Sequence, residues 1–160
     1  MNEDEAAFVE SVAGLFYAGG VPRAAGRMWG WLLIADPAEQ TAAALAEVLD
    51  ASRGSISGSA RLLESAGLVR RTTRRGDRRE YFSIPPGAVL SVLQSRLPAT
   101  IAWRRLTEDG LALLADAPAE RRARLKELHA LHVFMERELP ALLDRFMADR
   151  AGNDATEGES

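Results

Sequence analysis

The 160-residue sequence contains no cysteine, which excludes disulfides, cysteine nucleophiles, thiolate zinc sites and iron–sulfur clusters. Its only two histidines, His129 and His132, fall in one predicted helix. No Ser/His/acid set, phosphate-binding loop or HExxH motif is present. We therefore expect no enzymatic activity and no cofactor. Two histidines three residues apart are also a weak metal pattern, because no third or fourth ligand accompanies them.

Long hydrophobic runs are absent as well. The longest, "MWGWLLIA" at residues 28–35, is far too short to span a bilayer. The first ten residues, "MNEDEAAFVE", are acidic and do not have the pattern of a signal peptide. Together these features predict a cytoplasmic protein.

Lysine is nearly absent, and the arginines that replace it are unevenly distributed. Residues 52–82 hold eight arginines against three acidic residues, a net charge of +5. Since the whole chain carries −3, the remainder carries −8. A basic island on an acidic body focuses a positive field. A solvated charged face is the ordinary interpretation of such a run, but this one coincides with a specific structural pattern.

Residues 41–67 predict two short helices joined by a tight turn. Thr41 is a good N-cap for the first helix and Ser52 for the second. The second helix continues to Ala66, and Gly67 is well placed to end it. Two helices joined by about three residues have the spacing of a helix-turn-helix.

The segment "LVRRTTRRGDRREYFSI" at residues 68–84 predicts a β-hairpin. Valine, threonine, tyrosine, phenylalanine and isoleucine favour strands, and Gly76–Asp77 favours the turn between them. A helix-turn-helix followed by a hairpin is a winged helix. The remaining chain is helical, so the predicted fold class is mainly α with a small β-hairpin wing (α+β).

The second helix predicts a surface that fits the DNA major groove. At 100° per residue, Ile56, Ala60 and Leu63 share the side that faces the core. The other side is small and hydroxylated with one long cation; it comprises Gly54, Ser55, Ser57, Gly58, Arg61 and Ser65. Small residues allow close approach to phosphates and bases, and an arginine can donate two hydrogen bonds to a guanine edge. The alternative is a serine-rich helix start that serves only as a cap.

Arginines on and beside the hairpin predict contacts with DNA phosphates and the minor groove. Arg75 and Arg78 flank the tip, where guanidinium groups suit a narrow, electronegative minor groove. Asp77 is interpreted as the residue that forms the turn, with the orientation of a neighbouring arginine as the alternative.

The stretches "SRGSISGSARLLESAGLVRR" and "GDRREYFSI" resemble the winged-helix domain of MarR-type bacterial transcription regulators. Residues 20–57, "GVPRAAGRMWGWLLIADPAEQTAAALAEVLDASRGSIS", resemble the GbsR branch in particular. The resemblance covers about residues 5–85. It implies a homodimer joined by terminal helices, one winged helix per subunit on a palindromic operator, frequent repression and frequent response to a small molecule. Some GbsR-type proteins are tied to choline or glycine-betaine metabolism, but no residue of this sequence specifies either compound as its ligand.

The resemblance implies groove contacts for Arg53, Ser55, Ser57 and Arg61 and wing-tip contacts for Arg75 and Arg78. The full predicted DNA-binding set adds neighbouring small, polar and basic residues. It comprises Thr41, Ser52, Arg53, Gly54, Ser55, Ser57, Gly58, Arg61, Arg74, Arg75, Arg78 and Arg79.

The domain prediction is a single winged-helix regulator domain over residues 1–150. Within it, residues 5–35 are N-terminal helices, residues 36–85 the helix-turn-helix and wing, and residues 86–150 C-terminal helices for dimerisation. Residues 151–160, "AGNDATEGES", have no apolar side chain larger than alanine and predict a disordered tail.

The last long helix predicts a dimer seam. Its apolar positions follow a 3-4-3-4 spacing, which is typical of a heptad repeat. The same spacing suits a helix that packs on its own subunit, and the resemblance favours the dimer. Together with the apolar face of the first helix, the predicted interface comprises Phe8, Val12, Phe16, Leu125, Leu128, His132, Met135, Leu139, Leu142 and Phe146.

Several aromatic residues are candidates for an effector pocket. Aromatic rings can bind a quaternary ammonium group by cation–π contacts, although aromatics at helical spacing more often form core. The candidate set is Phe16, Tyr17, Trp29, Trp31 and Trp103.

The sequence predicts a sequence-specific regulator that binds double-stranded DNA. Two alternatives stay open: a winged helix that binds an acidic protein partner, and a nonspecific architectural DNA-binding protein. The basic helix and hairpin argue against the first. The acidic remainder of the chain argues against the second, because it opposes general coating of DNA.

Overall fold

The computed structural model of the protein describes residues 1–157. These residues form seven helices and three short strands. In chain order they are α1 (Glu3–Ala18), α2 (Arg23–Ile34), β1 (Gln40–Thr41), α3 (Ala42–Val48), α4 (Arg53–Ser65), β2 (Arg70–Thr73), β3 (Glu80–Ser83), α5 (Ala88–Gln94), α6 (Leu97–Leu113) and α7 (Ala119–Glu157). The described residues divide into two compact units, Met1–Val92 and a second that begins at Leu93, whereas the sequence predicts a single domain over residues 1–150.

Helix α1 begins two residues before its predicted start because of a capping box. The Asn2 side chain accepts a hydrogen bond from the Glu5 backbone N–H at 2.9 Å, and the Glu5 carboxylate accepts one from the Asn2 N–H at 2.7 Å. Both bonds satisfy N–H groups that lack a partner inside the helix.

Helices α1 and α2 approach closely at two glycines of α2. A Cβ added to Gly26 would lie 2.7 Å from the Ala13 Cα and 2.8 Å from the Phe16 Cβ. A Cβ added to Gly30 would lie 3.1 Å from the Val12 Cβ. The absence of side chains at these positions therefore sets the distance between the two helices.

We expect Gly26→Ala to destabilise the first unit, because the new methyl group would meet backbone that cannot move aside. Overpacking costs about 1–3 kcal/mol, against which better helix propensity returns up to about 1 kcal/mol. Gly14→Ala in α1 is the control, since its added Cβ has no atom within 4 Å. In urea unfolding, Gly26→Ala should lower the midpoint and Gly14→Ala should maintain or raise it. A Gly26→Ala midpoint at or above that of the unmodified protein would contradict the close packing.

Both predicted N-caps of the helix-turn-helix are confirmed. The Thr41 hydroxyl accepts from the Ala44 N–H, and the Ser52 hydroxyl accepts from the Ser55 N–H, each at 3.1 Å. Gly67 follows α4 with φ of +72°, a conformation that favours glycine and ends the helix. These local signals fix where the two helices begin and where the second ends.

Helix α2 shares one hydrophobic core with the helix-turn-helix and the sheet. The buried side chains come from five helices and strands and their connections. They are Val9, Ala25, Met28, Leu32, Leu45, Leu49, Ile56, Ala60, Leu63, Val69 and Phe82. The N-terminal helices are thus part of the same compact unit as the winged helix.

The wing belongs to a three-stranded antiparallel sheet in the order β1-β3-β2. The predicted hairpin is present, with Arg71 opposite Phe82 and Thr72 opposite Tyr81. Strand β1 was not predicted. It pairs Gln40 with Phe82, and two residues are too few to show the alternation that identifies a strand. The predicted fold class, mainly helical with a small β-wing, is confirmed.

The second unit contains α6 and α7. Pro98, predicted to interrupt a helix, instead lies in the first turn of α6, where its missing N–H costs nothing. Pro140 lies inside α7. That helix extends to Glu157, past the predicted start of the disordered tail at residue 151, and residues 158–160 of the predicted tail lie outside the described residues. No helix within residues 1–157 combines the length and apolarity needed to cross a membrane.

Candidate nucleic-acid interface

Helix α4 presents the two faces that the sequence predicts. Ile56, Ala60 and Leu63 are almost completely buried. On the other side, Gly54 and Gly58 are exposed, and the chain's own packing does not require them to be small. A Cβ added to Gly58 has no atom within 4 Å, and one added to Gly54 reaches only the Ser52 Oγ at 3.9 Å. Each glycine costs about 1 kcal/mol of helix propensity without a return from packing.

Arg61 is the long cation of this outward face. It is exposed, and its Nε donates a hydrogen bond to the Ser57 carbonyl oxygen at 3.3 Å. Within the described part of the chain, no carboxylate forms an ion pair with its guanidinium group. The side chain is therefore available to a ligand.

Asp77 forms the turn at the tip of the wing and also binds an arginine. Its N–H donates to the Arg74 carbonyl oxygen at 3.0 Å, and Gly76 has φ of +82°. Its carboxylate accepts from the Arg79 guanidinium at 2.8 Å and from the Tyr81 hydroxyl at 2.8 Å. Both roles inferred from the sequence are thus present.

These contacts hold the pKa of Asp77 well below its usual range, chiefly through the side chain of Arg79, then its backbone N–H and the Tyr81 hydroxyl. Because the folded pKa lies below the unfolded one, the contacts stabilise the wing above the ordinary aspartate pKa. That stabilisation is lost as the pH falls through the lowered pKa.

Arg71 joins α4 to the wing. Its guanidinium donates to both Glu64 oxygens, at 3.0 and 2.6 Å, and to Glu80 at 2.9 Å. It also lies over the Phe82 ring, 5.4 Å from the centroid. Glu64 and then Glu80 raise its pKa. Arg71 therefore has a structural role that fixes α4 relative to β3.

Arg74, a predicted DNA contact, is bound in a similar way. Its guanidinium pairs with Glu39 at 2.7 Å and lies over the Tyr81 ring, 4.2 Å from the centroid. Arg79, another predicted DNA contact, is paired with Asp77. Both pairings raise the pKa of the arginine concerned. The two residues are already neutralised within the chain.

The eight arginines of the basic island thus fall into two groups. Arg71, Arg74 and Arg79 are bound to carboxylates. The other five are exposed and form no ion pair with another described residue. They are Arg53, Arg61, Arg70, Arg75 and Arg78. Arg70 is missing from the predicted set, although its place in the basic island was a signal for it.

A cleft of about 410 Å³ lies between the two helices of the helix-turn-helix and the wing. Its lining combines the start of α3, the start of α4 and the residues leading into β3. These residues are Thr41, Ala42, Ala43, Arg53, Arg78, Arg79 and Glu80. Four of the predicted DNA-binding residues are therefore brought together in one place.

Comparisons with known proteins agree with this geometry. A family model described as "MarR family" matches residues 20–80, and one described as "MmpR5-like MarR family transcriptional regulator" matches residues 87–149. The HTH-type transcriptional regulator MmpR5 of Mycobacterium tuberculosis is 40% identical over 147 residues, which cover 92% of this chain and 88% of the relative. The chain belongs to the MarR family.

A solved structure described as a transcriptional regulator is similar to this MarR-family chain throughout. It is 39% identical, with 91% of this chain and 99% of that chain covered and a TM-score of 0.76. The predicted function, a transcriptional regulator that binds DNA, is confirmed. The family is one of regulators and not of enzymes.

In this MarR-family protein, much of the predicted dimer seam packs on α6 of the same chain. The Leu125 side chain covers Gly110, and the ring of His132 lies 5.8 Å from that of Trp103. Leu125, Leu128, His132, Met135 and Leu139 are all half-buried. The spacing therefore identifies, at least in part, a contact within the subunit.

A second apolar stripe on α7 is exposed. Leu131, Leu142 and Phe146 are 52%, 54% and 54% exposed, and Met135 lies between them on the helix. At 100° per residue, these four side chains fall within a 60° arc beside the face that covers α6. Leu131 was not predicted, because it lies outside the 3-4-3-4 spacing.

Of the predicted interface residues of α1, two are covered by the chain itself and one is exposed. Val12 is 8% exposed and lies against Gly30 of α2, so the chain itself covers it. Phe16 packs on Trp29, with ring centroids 5.2 Å apart. Phe8 remains exposed.

The aromatic candidates for an effector pocket do not share one described cavity. Trp29, Trp31 and Phe16 pack against the core of the first unit, whereas Tyr17 is 64% exposed. Trp103 belongs to the second unit and contacts His132. A core role accounts for the first three.

Each histidine has one ring nitrogen within hydrogen-bonding distance of an oxygen atom. The His129 Nδ1 lies 3.0 Å from the Thr107 hydroxyl, and the His132 Nδ1 lies 2.9 Å from the Leu128 carbonyl oxygen. Among the described residues, no three histidine, aspartate or glutamate side chains come close enough together to hold a metal ion.

Proposed function

We propose that this protein is a homodimeric repressor that binds a palindromic operator, with α4 of each subunit in the major groove and the wing beside it. The observation that carries this proposal is the outward face of α4. Gly54 and Gly58 leave space that the chain does not use, and Arg61 extends from the same face without a carboxylate partner among the described residues. A surface of this kind suits close contact with base edges.

The distribution of charge supports sequence-specific binding over general coating of DNA. The basic island supplies five arginines without an ion pair to a described residue, while the chain outside residues 52–82 carries −8. That acidic remainder repels DNA wherever the basic surface does not contact it. Binding is therefore confined to one orientation, in which base contacts can select a sequence.

Arg61 is proposed as the residue that reads bases, and Arg75 as the wing-tip residue that enters the minor groove. Base contacts carry sequence information, whereas phosphate contacts carry mainly affinity. Arg75 adjoins Gly76 at the tip and is exposed, which suits insertion into a narrow groove.

The dimer is proposed to form through the exposed side chains of Leu131, Leu142 and Phe146 on α7, with the half-buried Met135 between them. Phe8 of α1 is a separate candidate for a contact with the second subunit. Large apolar side chains that are exposed in a row along one helix mark an interaction surface. A second copy of the chain is the occupant, because a palindromic operator requires two winged helices related by two-fold symmetry.

Three finer predictions accompany this proposal. Membership of the GbsR branch stays a prediction, and so does the response to a small molecule. The place of action follows from the function: a regulator of bacterial genes acts on the chromosome, which lies in the cytoplasm.

The operator should contain two half-sites about 10 bp apart, centre to centre, because a two-fold dimer presents α4 to the same face of DNA one turn apart. Gel shifts should show tighter binding to the DNA upstream of the protein's own gene than to random DNA. Footprinting should show two protected half-sites. A reporter behind that region should be less active when the protein is present.

Other results would separate the alternatives. Protection of one unpaired half-site would contradict the dimer. Equal affinity for random DNA would favour an architectural protein. An absence of DNA binding would favour a protein-interaction module.

A further inference from the structure

The cleft between the helix-turn-helix and the wing combines residues from three parts of the first unit. Thr41 to Ala43 come from β1 and the start of α3, Arg53 begins α4, and Arg78 to Glu80 lead into β3. From the sequence, Arg53 is expected to contact the DNA groove and Arg78 to lie at the tip of the wing. In the structure they line the same cleft.

The charges inside the cleft do not cancel. Glu80 is paired with Arg71 at 2.9 Å, and Arg79 is paired with Asp77 at 2.8 Å. These two cleft residues are therefore compensated by neighbours outside it. Arg53 and Arg78 have no carboxylate partner in the described part of the chain, so the cleft carries two uncompensated guanidinium groups.

The remaining lining suits an oxyanion that enters from the surface. Ala42 and Ala43 are small and leave space. The Thr41 oxygen already accepts a hydrogen bond from the Ala44 N–H, so its hydroxyl hydrogen is free to donate. Two guanidinium groups and a hydroxyl match the several acceptor oxygens of a phosphate. A volume of about 410 Å³ accommodates such a group together with its attached sugars.

We propose that Arg53 and Arg78 bind one and the same backbone phosphate of the operator, as a clamp between the start of α4 and the loop that leads into β3. This inference rests on the proposed binding of DNA by α4 and the wing. It separates Arg78 from Arg75: Arg78 fixes the position of the DNA strand, and Arg75 at the tip reaches a different place on the duplex.

Ethylation interference on the operator tests the clamp directly. In the unmodified protein, ethylation of the clamped phosphate in each half-site should reduce binding. In both Arg53→Ala and Arg78→Ala, that same position should show weaker interference, because one of its two contacts is already missing. In the matched control Arg75→Ala, that position should keep its interference.

The dependence of affinity on salt supplies a second readout. Each neutralised phosphate contributes roughly 0.9 to the slope of log K against log salt concentration. Two arginines on one phosphate should therefore cost the Arg53→Ala/Arg78→Ala double variant roughly one unit of slope per half-site. Each single variant leaves the other arginine on that phosphate and should lose much less than one unit of slope, whereas two separate contacts would cost about one unit in each single variant and about two in the double variant. Each single variant should weaken operator binding by about tenfold.

The outcomes distinguish this inference from the proposed function. If Arg53→Ala and Arg78→Ala weaken ethylation interference at two different phosphates, or if neither changes the interference pattern, the clamp is wrong. Operator binding by the protein would still stand. If the unmodified protein binds no operator, the proposed function itself fails. Thermal unfolding of the variants should match that of the unmodified protein, because both side chains are exposed and form no ion pair with a described residue.

Discussion

Leu131→Arg should convert the dimer into monomers. Leu131 is 52% exposed within the chain, so the arginine should not disturb the fold of a single subunit. In the dimer, two-fold symmetry would bury two new charges without partners. An uncompensated buried charge costs about 3–5 kcal/mol. The dimer dissociation constant should therefore rise by about a hundredfold or more.

Val133→Arg is the matched control, on the same helix and two residues away. Val133 is 40% exposed, and the helical repeat places it about 160° around α7 from Leu131. Analytical ultracentrifugation at micromolar concentration should show monomers for Leu131→Arg and dimers for Val133→Arg. Circular dichroism should show the same helix content for both.

Loss of the dimer should also weaken operator binding, because a monomer holds one half-site and no longer benefits from the linkage of two. Binding to an isolated half-site should be unchanged in Leu131→Arg. A Leu131→Arg protein that stays dimeric would place the interface elsewhere. A monomeric unmodified protein would contradict the dimer altogether.

The helix-turn-helix could be predicted because its signals are local. Thr41 and Ser52 cap the helices that directly follow them, and Gly67 adopts the backbone conformation that ends the second. The buried face of α4 follows from the helical period alone. Such features depend on residues within one turn of each other, which the sequence displays directly.

The division of the arginines could not be predicted, because it depends on contacts between distant residues. Arg74 meets Glu39, which is 35 positions earlier, and Arg71 meets Glu64 and Glu80 from two different elements. In the sequence, all these arginines belong to the same basic run. The pairing of β1 and β2 with β3 brings Glu39 and Glu80 close to these arginines, and α4 supplies Glu64.

The periodic apolar face of α7 could be predicted, but the helix that covers this face could not. A 3-4-3-4 spacing shows that one face is covered and does not say by which helix. In the structure, Leu125 and His132 contact α6 of the same chain. Leu142 and Phe146 of the predicted seam remain exposed, and Leu131, which lies outside the spacing, is recognised as their neighbour only once the contact with α6 is known.

Arg61→Ala should reduce specificity more than general affinity for DNA. Arg61 lies on the outward face of α4, where a side chain in the major groove reaches base edges. The loss of a bidentate contact to a base costs about 1–3 kcal/mol per half-site on the operator and much less on random DNA. Titrations against operator and scrambled DNA at several salt concentrations would measure both.

Two variants serve as controls. Arg61→Lys keeps the positive charge but cannot form the two parallel hydrogen bonds of a guanidinium group, so it should resemble Arg61→Ala on the operator. Arg75→Ala at the wing tip should weaken binding to both DNAs more evenly and reduce the salt slope by about 1 for each phosphate that is no longer neutralised. Both arginines are exposed, so neither change should affect folding.

The contrast between these variants decides what Arg61 does. If Arg61→Ala weakens both DNAs equally and Arg61→Lys restores binding, Arg61 binds a phosphate, and sequence recognition lies with other residues of α4. If none of the three variants changes DNA binding, the basic island serves another partner. The expected pattern is a selective loss on the operator that lysine does not repair, because the geometry of the guanidinium group, beyond its charge, recognises the base.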